Sequence, residues 1–339
     1  MTPLAERFRR RIAATGPITL ADFMSECLLD PEHGYYGTRD PLGRGGDFTT
    51  APEISQMFGE MVGLWLAQTW MDQGAPDPFC LAELGPGRGT LMADILRATA
   101  RVPGFQGAAK LHLVEASPAL RAAQAERLGA YQPVWLDQAA DLPLAPLFLV
   151  ANEFFDALPI RQFQRHANGW CERQVGLEGD ELCFGLSAPA PIAGLDHRLN
   201  DTEIGEIVET CAPAQPIIES VAARIEAHGG TALVVDYGKW GARGDTFQAV
   251  RNHAYDDPLA QPGAADLTAH VDFEALARAA ARWCAVTPIV TQGVFLERLG
   301  ITARAQQLAK RLSGRELETH IAAHRRLTHP DEMGYLFKV

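Results

Sequence analysis

One octapeptide constrains this chain more than any other feature. Glu83-Leu-Gly-Pro-Gly-Arg-Gly-Thr90 follows a short apolar run, Phe79–Leu84, and opens an amphipathic stretch at 90–100. Strand, glycine-rich turn and helix in that order bring backbone N–H groups of a helix N-terminus toward a ligand. A dinucleotide fingerprint, G-x-G-x-x-G, needs its third glycine at position 90, where Thr90 stands. The glycines fall instead at 85, 87 and 89, with Arg88 between the last two. That spacing suits a nucleoside ligand without a pyrophosphate, which points to S-adenosylmethionine rather than NAD.

Two further strand ends bear on the ligand. Leu111-His-Leu-Val-Glu115 ends an apolar strand at 110–115 in a carboxylate and runs into a helix at 118–128, with Pro118 in its first turn. A carboxylate there accepts from both hydroxyls of a ribose, whichever nucleoside carries it. Val134-Trp-Leu-Asp137 closes a short strand at 133–136 on a second acid, which either accepts from an adenine amino group or is an ordinary turn residue. Glu83, on the first strand, is placed to support the loop and a cofactor ammonium. With a fourth strand at 147–151, this alternation predicts a parallel sheet flanked by helices.

Around that core the expectation is of additions. Helices are predicted at 4–14 and 19–29, the second capped by Thr19 with Asp22 three residues on. Glycine and proline punctuate the segment between Asp30 and Glu53, and an irregular stretch of that length reads as a lid or binding loop. A helix at 53–71 carries Ile54, Met57, Phe58, Met61, Val62, Trp65 and Leu66 at helical spacing. Beyond about Arg161, segments 161–165, 170–176 and 181–186 read as antiparallel strands around Asn168-Gly169 and Gly179-Asp180; 187–215 gives little signal. A helix at 217–227 leads to a strand at 231–237 that resumes the sheet. Then come a helix at 272–283, a strand at 285–290, helices at 302–312 and 315–327, and a last strand at 334–339. The predicted organisation is a helical cap and lid over 1–60, a core over 61–165 and 229–339, and an inserted subdomain over 166–228.

The acceptor side is expected where Leu149-Val-Ala-Asn-Glu-Phe-Phe-Asp-Ala-Leu-Pro159 leaves the fourth strand, since ligands of doubly wound sheets lie beyond the carboxyl ends of the strands. The position is similar to the N-P-P-[YF] motif of enzymes that methylate planar nitrogens. Asn152 and Phe155 match; Glu153 and Phe154 replace the two prolines. A carboxylate suits a guanidinium, whose pKa above about 12 leaves its nitrogens poor nucleophiles until acids orient and polarise them. Glu153 is then the residue holding the acceptor, with Asn152 beside it and Asp156 assisting; the alternative is that both acids cap the following turn.

Longer motifs carry a resemblance. Gly46-Asp-Phe-Thr-Thr-Ala-Pro-Glu-Ile-Ser-Gln-Met-Phe-Gly59, the 83–90 loop, 152–159, Val235-Asp-Tyr-Gly238 and Pro262-Gly-Ala-Ala-Asp-Leu-Thr-Ala-His-Val-Asp-Phe273 resemble the MidA family almost end to end. This group contains the mitochondrial complex I assembly methyltransferase. The resemblance implies a class I methyltransferase with a Rossmann-like, seven-stranded sheet and S-adenosyl-L-methionine as cofactor. It also implies a protein substrate, an arginine of a respiratory complex I subunit or a similar protein. By the same resemblance Asp47, Thr49, Pro52 and Glu53 fold over the cofactor, Asp236 and Tyr237 lie at the pocket edge, and Asp266, Thr268 and His270 line the acceptor channel. His270 is either a base near neutral pH or a structural histidine. Lys239 stands where the family pattern has histidine. Small-molecule methylation, and an assembly factor that binds the cofactor with little catalysis, remain as alternative activities.

The remaining features exclude more than they suggest. A net charge of −12 argues against a nucleic-acid partner. Six scattered cysteines, without a C-x-x-C pair, support neither a disulfide framework nor a thiolate zinc site. No apolar run approaches the roughly 20 residues that span a bilayer, so no membrane insertion and a cytoplasmic location are expected. His320-Ile-Ala-Ala-His324 lacks the glutamate of a zinc protease helix. The oligomeric state is not legible.

Overall fold

The computed structural model describes residues 2–38 and 49–339; Asp47 lies outside the described residues. The chain forms two compact units, each assembled from three sequence segments. One comprises 49–155, 216–239 and 275–339; the other comprises 1–48, 156–215 and 240–274.

The first unit is the expected α/β core, and the chain's central sheet has seven strands. Those within this unit are β1 (Phe79–Leu84), β2 (Ala109–Val114), β3 (Val134–Leu136), β4 (Leu147–Asn152), β5 (Gly230–Lys239) and β6 (Phe337–Lys338). They lie in the order β5-β4-β1-β2-β3; every neighbouring pair in that run is parallel, and β6 joins β5 antiparallel. β1 and β4 are buried along their whole length, which is why they read as unbroken apolar runs. The strand order reverses between β1 and β4, so their carboxyl ends open the crevice in which such sheets bind ligands.

Helix Gln56–Asp72 and helix Thr90–Thr99 pack on one another so closely that a Cβ at Gly63 falls 2.9 Å from the Cα of Ile95. Between them Glu60, 4 % exposed, accepts from Arg97 at 2.8 Å and from Arg304 at 2.8 and 3.1 Å. The predicted helix at 53–71 is two helices, Ala51–Ile54 and Gln56–Asp72. Ser55 breaks them apart with an extended backbone, and its hydroxyl caps the second at Met57.

Two other expectations fail here. Residues 285–290 form no strand: Pro288 cannot donate to a ladder, and only Val290 exchanges hydrogen bonds, with Val339. Of the predicted strand at 334–339 only Phe337–Lys338 pairs with β5, because Met333–Leu336 turns as a short helix.

The second unit is built on antiparallel pairing. Strands Gly169–Glu178 and Arg161–His166 are central, joined by a two-residue turn at Ala167-Asn168, one residue before the expected Asn168-Gly169, with Glu181–Leu186, Ile18–Thr19 and Ile207–Thr210 beside them. Helices Pro3–Thr15 and Leu20–Leu29 supply Leu4, Phe8, Phe23 and Met24 to a core shared with Ile160, Val175 and Phe247. Thr19 caps the second helix through the Asp22 N–H, at 3.0 Å. The N-terminal helices, residues 166–215 and residues 240–274 thus fall in one unit, in which Phe163, Trp170, Leu195 and Val208 form a second, smaller cluster. The segment with little sequence signal holds a 3-10 helix, Ala193–Asn200, and the edge strand Ile207–Thr210.

All six cysteines are free. Among the described residues no helix is long and apolar enough to cross a membrane, and no group of three or more His, Cys, Asp or Glu side chains is placed to hold a metal ion.

Candidate active site

At the carboxyl end of β1 the chain leaves the sheet through three glycines, all in the left-handed region: Gly85 at φ +60°, Gly87 at +53° and Gly89 at +75°. L-residues with a Cβ enter that region at a cost. Space is short as well. A Cβ at Gly85 falls 2.9 Å from Phe154, and one at Gly89 falls 2.9 Å from Leu128. Gly89 is the N-cap of helix Thr90–Thr99 and brings no side chain to its first turn, so the N–H groups there face outward as an anion- or dipole-binding edge.

Glu83 lies under this loop, 3 % exposed. Burial pushes its carboxyl up to about 8, helped by the nearby charge of Glu115 and opposed by the Met92 N–H. Its Oε2 finds no hydrogen-bond partner among the described residues. A buried carboxyl of this kind is a cost that a cationic ligand removes.

Glu115, just past β2, is 8 % exposed and lies beside the glycine loop through Gln124. Its Oε1 accepts from the Ser117 N–H at 2.7 Å and its Oε2 from Gln124 Nε2 at 3.3 Å. Burial raises its pKa, and these hydrogen bonds oppose the rise. Asp137 is placed differently. Its side chain is 79 % exposed and paired with Arg121 at 2.6 Å, the behaviour of a turn acid at a strand end.

The turn after β4 carries the other expected residues. Glu153 adopts φ +52°, a left-handed backbone without glycine. It is held on three sides: its N–H donates to the Val235 carbonyl at 2.9 Å, and its Oε1 accepts from the Ala51 N–H and from Asn152 Nδ2, each at 3.1 Å. The Oδ1 of Asn152, buried at the end of β4, has no partner among the described residues. Asp236, fully buried at the end of β5, accepts from the Phe155 N–H at 3.0 Å and from the Tyr237 N–H at 2.9 Å. It braces the turn rather than presenting a free carboxylate.

The segment expected to act as a lid meets the loop directly. Pro52 is buried, Glu53 accepts from the Thr90 hydroxyl, and Arg127 donates to the same hydroxyl. Thr49 precedes this short helix and is half-buried.

Asp156 and His270 belong to the other unit. There the carbonyl of Asp156 accepts from the Ala269 N–H at 3.0 Å, and the His270 N–H donates to Thr246 Oγ1 at 2.8 Å. Asp266, 1 % exposed, accepts from the Tyr36 hydroxyl at 2.9 Å. Burial, with Asp266 and Asp156 nearby, raises the Tyr36 phenol well above its ordinary range. Tyr36 and Gln124 escape a motif reading, since neither belongs to a recognisable pattern.

Glu83, the three glycines, Glu115, Asn152 and Glu153 thus share one sheet edge, whereas Asp137 faces solvent. The set fits S-adenosylmethionine in kind: a buried carboxyl with one oxygen unpartnered for an ammonium, a glycine cradle that a Cβ would fill, and a strand-end acid for ribose hydroxyls. When bound, that cofactor supplies an electrophilic methyl group on a sulfonium. The chain's own residues bind, orient and shield it.

Comparison with known proteins agrees. The Methyltransf_28 family model, which describes S-adenosyl-L-methionine-dependent methyltransferases, matches residues 61–290. The protein arginine methyltransferase NDUFAF7 of Danio rerio is 39% identical over 97% of this chain and 84% of its own length. The Homo sapiens protein of the same name is 38% identical, over 99% and 82%. A Burkholderia thailandensis crystal structure, determined with S-adenosyl-homocysteine bound, superposes with a TM-score of 0.84 at 31% identity, covering 99% of this chain and 90% of its own. The MidA resemblance is borne out, and the chain belongs to this family of S-adenosylmethionine-dependent methyltransferases.

Proposed function

We propose that this enzyme is a protein arginine N-methyltransferase and that its substrate is a subunit of respiratory complex I or a similar protein. The observation that carries the reading is Glu153. A bulky residue held at φ +52° on the carboxyl edge of a central strand costs on the order of 1–2 kcal/mol relative to glycine. Such strain persists where the side chain is needed at that point. Here it sets a carboxylate, fixed through Ala51 and Asn152, at the end of the strand next to the glycine loop. Transfer to a guanidinium needs a carboxylate that orients one nitrogen and disperses its charge. The NDUFAF7 relatives carry arginine methylation in their names, which supports the same acceptor. The cytoplasm is proposed as the working compartment; six free thiols are compatible with a reducing environment.

The test is transfer of a radiolabelled methyl group into lysate of the source organism lacking this gene, followed by mass spectrometry of the labelled sites. Label on an arginine, lost with Glu153→Ala, is the expected result. Label confined to small molecules overturns the protein-substrate reading. Cofactor binding with no transfer to any component leaves an assembly factor in its place.

A further inference from the structure

Gln124 lies in the middle of helix Pro118–Leu128, in a stretch of alanines and charged residues where a surface position is expected, yet it is completely buried. Every part of its amide that faces the site is used. Nε2 donates to the Gly87 carbonyl at 2.7 Å and to Glu115 Oε2 at 3.3 Å, and Oε1 accepts from the Trp135 indole N–H at 2.8 Å. One side chain therefore ties together the glycine loop after β1, the acid after β2 and strand β3. A Cβ at Gly89 falls 3.6 Å from Gln124 Cγ, so the loop also rests on its stem.

A carboxylate offers about four acceptor positions on two oxygens. In Glu115 the Ser117 N–H takes one on Oε1, Gln124 takes one on Oε2 and the Ala116 N–H takes a third, so the carboxylate is held from both oxygens with about one direction left for a hydroxyl of the ribose diol. The same hydrogen bonds favour the ionised carboxylate against the burial that raises its pKa. We infer that Gln124 is a positioning residue for cofactor selection: it orients Glu115 and the glycine loop together, and so makes the site discriminate for a ribose diol.

The experiment is calorimetric titration of wild type and Gln124→Leu with S-adenosylhomocysteine and with its 2′-deoxy analogue. In wild type the diol is preferred. In Gln124→Leu, affinity for S-adenosylhomocysteine falls by about tenfold while the deoxy analogue loses less than about threefold, so the preference collapses. Adding Gln124→Leu to Glu115→Gln then weakens binding by less than Gln124→Leu does alone, since part of its effect runs through Glu115. In turnover, KM for the methyl donor rises by a similar factor with kcat nearly unchanged. Equal weakening of both ligands, or full additivity with Glu115→Gln, overturns the inference and leaves a packing role. Gln124→Met fills nearly the same space without the amide, and the same titrations apply to it should the leucine variant fail to fold.

Discussion

The chain leaves the carboxyl edge of its parallel sheet twice at neighbouring strands, and by opposite means. After β1 it turns through Gly85, Gly87 and Gly89, where the left-handed backbone comes at little cost and no side chain intrudes. After β4 it makes a left-handed step with Glu153, where glycine is the easier choice. The first turn is built for what it leaves out, room for a ligand against backbone. The second is built for what it retains, a carboxylate in a fixed place. One turn is a cradle and the other a tool.

Substitutions that exchange these properties test the contrast. The largest effect is expected from Glu153→Ala: methyl transfer falls by about 100-fold or more, while the calorimetric affinity for S-adenosylhomocysteine changes less than about threefold. A large loss of cofactor affinity instead makes Glu153 part of the cradle. Gly85→Ala does the converse. It forces a Cβ into the left-handed region and against Phe154, and weakens cofactor binding by at least about tenfold, measured the same way.

The acid beneath the cradle gives a pH signature. With its carboxyl near 8, against an ordinary 4.5, Glu83 is protonated at neutral pH until a cation joins it. Affinity for the cofactor then rises about tenfold per pH unit up to about 8 and levels off above it; Glu115 shares the field, so the slope is compared with that of Glu83→Gln, which removes the Glu83 contribution. Stability runs the other way in the empty protein. The folded state holds the proton that the unfolded chain releases above 4.5, so this contribution is full below 4.5 and is lost as pH rises through about 8. Melting curves at pH 5, 7 and 8.5 that flatten in Glu83→Gln support this assignment; parallel curves sink it.

Smaller effects follow. Glu153→Gly relieves the left-handed step that Glu153→Ala keeps, and is expected to be more stable than Glu153→Ala by about 1 kcal/mol in urea titration, both having lost the carboxylate. Asp137→Asn removes only an exposed ion pair with Arg121, and both stability and cofactor affinity are expected to change within error, under about 0.5 kcal/mol. A tenfold weakening there restores an adenine-binding role.

The glycine loop, its strand and the helices on either side were legible because local pattern and tertiary role coincide. Apolar runs mark strands buried on both faces, and glycine spacing marks the turn. Glu153 was legible as a departure from a motif, though its backbone conformation was not, since no local rule places glutamate in that region. Gln124 was illegible because its burial comes from the loop and strand packed over it. Residues 285–290 misled for the reverse reason: the apolar pattern of an edge strand is present, but Pro288 and a partner that bends into a helix leave it only one residue of pairing. The two-unit division was hidden because the antiparallel unit recruits the N-terminal helices from more than 100 residues away in the chain.

The core sheet receives β1 at residue 79, β5 at 230 and β6 at 337, with stretches of another unit spliced between. Contacts of such long sequence separation make folding slow, since loop closure is paid before the contacts return it. During synthesis the segment through Asn152 can pair four parallel strands while β4 still lacks β5 on its open side. Arg304 reaches Glu60 only later still, and a chain halted before it keeps a buried acid with one of its two arginines missing. A nascent chain of this protein therefore carries an exposed apolar strand edge for much of its elongation, and its yield in cells depends on how well that edge is shielded until β5 emerges.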